Sequence, residues 1–131
     1  MPHLILDYSA NLDDVIDIKS LCAALRDAMV ETGVFPLGGI RVRALPCSAY
    51  AIADGDPAYA YLHMTMRIGQ GRDEETRLSV AKHLYATAEA YIKPRLAGPF
   101  ALSIDLGELD PVTSLKSFNS IHAHLKSKEL R

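Results

Sequence analysis

Apolar and polar positions along this chain fall into one rhythm played twice. His3 to Tyr8 is a short, mostly apolar run of strand length. Ile18, Leu21, Cys22, Leu25, Ala28 and Met29 then recur at steps of three and four, which stacks them on one helical face. The spacing predicts a helix from Asp13 or Asp17 to Thr32; Asn11, Asp13 and Asp17 are each able to cap its start, and Gly33 suits its end. Gly38 and Gly39 turn the chain, and Ile40 to Leu45 reads as a second strand. A turn-forming cluster, Asp54-Gly55-Asp56-Pro57, separates the halves. In the second half Tyr59 to Ile68 is a strand and Gly69-Gln70-Gly71 a turn, with Asp73, Glu74 and Glu75 placed where a helix start favours negative charge. Leu78, Ala81, Leu84, Tyr85 and Ala88 supply the stripe of a second helix that Pro94 ends or kinks, and Phe100 to Leu106 closes the unit as a strand.

The fold class that follows is α+β: two tandem β-α-β halves, each with a parallel strand pair and a right-handed crossover, forming a four-stranded mixed sheet with two helices on one face. The strands read as too apolar to face water on both sides, so oligomerisation is expected to cover the other face. Beyond Pro111 the pattern loosens, and Leu115, Phe118, Ile121 and Leu125 suggest a short amphipathic segment docking on this subunit or a neighbour.

Length and composition narrow the class. At 131 residues, with 49% hydrophobic and 23% charged residues, the chain is expected to be one domain over 1–131. No stretch approaches the roughly 20 apolar residues of a membrane helix, and Leu4 to Leu6 is too short for an export signal. The expected address is therefore cytoplasmic, which keeps Cys22 and Cys47 reduced; Cys22 belongs to an apolar face. A net charge of −2 with both signs scattered argues against nucleic acid and for a small-molecule partner.

Candidate chemistry starts at Pro2. An initiator methionine before proline is normally trimmed, and loss of Met1 leaves Pro2 with a free secondary amine. An α-amino group titrates near about 7.7 to 8, and burial or nearby cations lower that value, which suits a general base that later acts as an acid. Arg41, in Gly38-Gly39-Ile40-Arg41-Val42-Arg43, and Arg72, in Gly69-Gln70-Gly71-Arg72, each sit at a predicted strand edge, one per half. Arginine offers a permanent charge and a planar fork that fits carboxylates. Gly69-Gln70-Gly71-Arg72 lacks the full glycine fingerprint of a phosphate loop, so a tight turn is the better reading. His63 reads as a partly buried strand histidine, and His122 with His124 lacks the partners of a metal site. Asp54 and Asp56 are turn residues.

These segments together resemble the 5-carboxymethyl-2-hydroxymuconate isomerase family of the tautomerase superfamily. The likeness rests on Met1-Pro2-His3, the run Thr32 to Arg43, Ala53-Asp54-Gly55, His63-Met64-Thr65, Ile68 to Arg72 and Phe118-Asn119, and it spans residue 2 to about 124; Ala44 to Tyr50 diverges from the pattern. The resemblance implies a homotrimer and a cofactor-independent, metal-free isomerase of homoprotocatechuate breakdown, within 4-hydroxyphenylacetate degradation. It implies a carboxylated enol as substrate, Pro2 as catalytic base and acid, and Arg41 and Arg72 as catalytic and substrate-binding arginines. The alternatives are a related tautomerase for another unsaturated enol acid and a non-catalytic binding module on the same fold.

Overall fold

The structure, a computed structural model, describes residues 1–129. Its elements follow in the order β1 (His3–Ser9), α1 (Ile18–Glu31), β2 (Arg41–Cys47), β3 (Ala60–Ile68), α2 (Glu74–Ile92), β4 (Phe100–Glu108) and α3 (Ile121–Glu129), with short 3-10 turns between them. Both helices of the repeat start on an aspartate cap. Asp17 accepts from the Ser20 backbone N–H at 3.3 Å and Asp73 from that of Thr76 at 2.8 Å. Asp17 thus takes the role that Asn11 and Asp13 also fitted; Asp13 instead accepts the Tyr8 hydroxyl at 2.8 Å. Gly33 ends α1 at φ +67°, a conformation that side chains disfavour.

One sheet runs in the order β2-β1-β3-β4, parallel within each half and antiparallel where β1 meets β3. This is the mixed sheet of tandem β-α-β halves expected from the periodicity. Two helices cover it, and α3 is a third that begins later than the amphipathic pattern suggested, leaving Leu115 and Phe118 outside it and exposed. In α2 the buried stripe is Val80, Leu84, Ala88 and Ile92. Leu78, read above as part of that stripe, lies two residues before Val80 and so about 200° around the helix, where it is half exposed.

The helix-covered face buries Leu4, Leu6, Leu62, Met64, Met66 and Ile68 against Leu21, Leu25, Met29 and Leu84. The opposite face is more polar than anticipated. The strands alternate: His3, Asp7, Arg43, Tyr61, His63, Arg67, Ser103 and Asp105 point away from the core, with Ile5 and Leu45 among them. Neighbours on this face bond to one another, Tyr61 to Asp7 at 2.8 Å and His63 Nδ1 with Ser103 Oγ at 2.6 Å. Cys22 is half buried beside the core. No helix among the described residues is long and apolar enough to cross a membrane.

Candidate active site

The sheet topology brings the candidate residues to one end of the molecule. Because β1 and β2 are parallel, both begin there; because β3 runs against β1, it ends there. His3 accordingly sits between Arg41 and Arg67 in the register, and Pro2 stands beside the start of β2, its carbonyl accepting the Arg41 backbone N–H at 3.1 Å. The turn that leaves β3, with Gly71 at φ +118°, carries Arg72 to the same place. Strand pairing and the turn after β3 together therefore unite residues 2, 41 and 72.

Pro2 and Arg72 line a cavity of about 380 Å³, together with Met1, Phe35, Gln70 and three residues of the C-terminal segment, Lys116, Asn119 and His122. Larger hollows, one between the end of α2 and the start of β4, one between α1 and α2 and one in the loop from Ser48 to Pro57, hold none of Pro2, Arg41 and Arg72. Pro2 is buried at the cavity floor, and a Cβ at Gly39 would come within 3.2 Å of its ring, so the Gly38-Gly39 turn lets the backbone approach the proline closely. Arg41 does not line the cavity. Its Nη2 rests 3.9 Å from the Met1 sulfur, while Nη1 donates to the Gly38 and Ile40 carbonyls at 2.9 and 3.0 Å.

Arg72 is held by backbone oxygens too. It donates to Gly69 at 3.3 Å and to Val34 at 3.1 Å, and its guanidinium lies over the Phe35 ring, 5.0 Å from the centroid. Neither arginine has a carboxylate within salt-bridge distance among the described residues, where Arg26 pairs with Asp27 and Arg77 with Glu108. Burial and the excess of positive charge both act on the titrating groups nearby. The Met1 ammonium is pushed below its ordinary pKa by burial first, then by Lys116, Arg72 and Arg41, and His3 is lowered by burial, Arg43, the amino terminus and Arg41. A cavity of this kind favours an anion and disfavours protonation of an amine beside it.

With a buried Pro2, two backbone-anchored arginines and a cationic cavity in place, comparison with known proteins becomes specific. The sequence profile of the family "5-carboxymethyl-2-hydroxymuconate isomerase" matches residues 2–125. The chain belongs to the 5-carboxymethyl-2-hydroxymuconate isomerase family. It is 35% identical over 127 residues to the 5-carboxymethyl-2-hydroxymuconate Delta-isomerase of Escherichia coli, a match covering 96% of this chain and 100% of that one. Two crystal structures share its fold at 33% identity, each covering 95% of this chain and 93% of the other. One is a 5-carboxymethyl-2-hydroxymuconate delta-isomerase, with a TM-score of 0.88, and one is the isomerase from Deinococcus radiodurans R1, with a TM-score of 0.87.

Lys116 and Asn119 were not among the residues singled out for chemistry in the sequence, and His122 was weighed only with His124 as a metal pair and set aside. They follow β4, and only the return of the chain to the shared end of the sheet places them at the cavity. His124, two residues from His122, does not line it. The one sequence signal for them was the Phe118-Asn119 match in the family pattern.

Proposed function

We propose that this protein isomerises 5-carboxymethyl-2-hydroxymuconate, the substrate in its relatives' names, from enol to keto form without a cofactor, as a homotrimeric cytoplasmic enzyme of homoprotocatechuate breakdown whose whole chain acts as one domain. The observation that carries this reading is the setting of Pro2: buried, beside Arg41 and Arg72, neither of which has a carboxylate partner among the described residues. Once Met1 is lost, the Pro2 nitrogen is a secondary amine at the cavity floor. It takes the enol hydroxyl proton, electron density moves through the conjugated chain, and a distant carbon receives a proton back, so that bonds and charge balance within one molecule. The arginines bind carboxylates of the substrate and stabilise negative charge as it builds on the oxygen, where a fixed cation in a partly dry site lowers the barrier most.

The test is ketonisation of the dienol followed by ultraviolet absorbance. Arg41→Ala and Arg72→Ala are each expected to lower kcat/KM by about 10²-fold or more, and lysine at either position to restore part of it, since lysine keeps the charge and loses the fork. Full activity in both alanine variants would place the chemistry elsewhere.

A further inference from the structure

The C-terminal segment reaches the cavity with its polar groups set in a definite way. Asn119 Oδ1 accepts the Ile121 backbone N–H at 2.9 Å, which fixes the amide so that Nδ2 faces the cavity side. One Nδ2 hydrogen goes to the Gly38 carbonyl at 3.2 Å and the other points to the Met1 sulfur at 3.5 Å, the atom that Arg41 also meets. Lys116 stands on the same wall, and no Asp or Glu lines the cavity among the described residues. Met1 thus occupies a space ringed by donors from two separate parts of the chain. Its thioether is a weak acceptor that leaves most of their hydrogen-bonding capacity unused.

We propose that Asn119 and Lys116 bind a carboxylate of the substrate in the space that Met1 fills, so that the C-terminal segment selects enols with several carboxylates over enols with one. This rests on the isomerase reading and extends it from the arginines to the C-terminal segment, whose Asn119 shares the Gly38 carbonyl with Arg41. With Met1 gone, the second Asn119 hydrogen and the Arg41 Nη2 both point into the vacated space, and Lys116 supplies a third donor and a charge at the rim. Asn119 is preset by its two backbone bonds, whereas Lys116 is exposed and swings on a flexible stem. Two jobs follow from that difference: the amide fixes the position of the carboxylate, and the ammonium strengthens its capture.

The experiment uses the full chain without Met1. Lys116→Ala and Asn119→Asp are compared with wild type on the tricarboxylated dienol and on a hydroxydienoate bearing a single carboxylate. Asn119→Asp keeps the oxygen that Ile121 needs and replaces the inward donor with a charge that repels the ligand. Loss of a hydrogen bond to a charged group predicts that the ratio of kcat/KM for the two substrates falls about tenfold in each variant, carried mostly by KM, with Lys116→Arg restoring much of it. Lys82→Ala, on the exposed side of α2, serves as the control and is expected to leave the ratio as it is. Calorimetric binding of propane-1,2,3-tricarboxylate, which does not isomerise, reads the same site without catalysis. Loss of affinity in both variants supports the assignment even if the processed wild type fails to turn over the dienol, a failure that would overturn the isomerase reading alone. An unchanged substrate ratio together with unchanged tricarboxylate affinity in both variants would overturn the role of the C-terminal segment.

Discussion

Pro2, Arg41 and Arg72 are each commonplace residues whose chemistry comes from their surroundings. A proline nitrogen inside a chain is an amide; at a free amino terminus it is a base whose strength the cavity sets. The arginines keep their charge at any relevant pH, and their backbone anchors hold them in place before a ligand arrives, so less ordering is left for binding to accomplish. Away from the site, Tyr8 shows what burial does to a titrating group. Its ring is 3% exposed and its hydroxyl donates to Asp13, and together burial and that acid push its pKa up to about 12. The folded value lies above the unfolded one near about 10, so the stabilisation is present below about pH 10 and is lost as pH rises through about 12. Denaturant midpoints measured across that window should fall with pH in wild type and fall less in Tyr8→Phe; parallel curves would contradict the assignment.

At the scale of elements, α3 is placed by contact with the turn at Leu37–Gly39. The His122 ring lies where a Cβ on Gly38 would go, so Gly38→Ala displaces that ring from the turn and disturbs the docking of α3 while leaving the sheet and its two covering helices as they are. KM for the tricarboxylated dienol is expected to rise in Gly38→Ala with far-UV circular dichroism nearly unchanged; wild-type kinetics would show that α3 docking is immaterial to the site. The strands and the first two helices were legible in the sequence because their periods are local properties, fixed by neighbours two to four residues apart. The start of α1 was ambiguous because three acidic or amide residues precede it, and only the paths of their side chains decide among them. Lys116, Asn119 and His122 were not legible as site residues, since reaching Pro2 requires the whole second half to fold and β4 to deliver the chain to the right end of the sheet. The alternation of polar and apolar residues was under-read in β1 and β3, where His3, Asp7, His63 and Arg67 mark an outward face that the apolar count concealed.

For the whole molecule, the three most exposed large apolar residues among those described sit in one region of sequence. Val112, Leu115 and Phe118 are 82%, 89% and 95% exposed, and Leu45 stands half exposed on the polar sheet face. Burial of such residues against neighbours in closed cyclic symmetry fits the proposed trimer. Sedimentation equilibrium should give three times the 14.3 kDa chain mass, and the double variant Leu115→Ser, Phe118→Ser should shift the protein toward smaller species; a wild-type monomer at micromolar concentration would contradict the assembly. The central claim is the identity of the base, and one chemical bond decides it. Two preparations of the same chain, one shown by mass spectrometry to begin at Pro2 and one to retain Met1, are assayed side by side for ketonisation of the dienol. The chain beginning at Pro2 should be active, with an acidic limb in its pH profile set by an amine below the usual α-amino pKa, because protonation there removes the base. The chain retaining Met1, its Pro2 nitrogen locked in an amide and the methionine side chain lodged against Arg41 and Asn119, should be nearly inactive. Equal activity in the two would falsify Pro2 as the base.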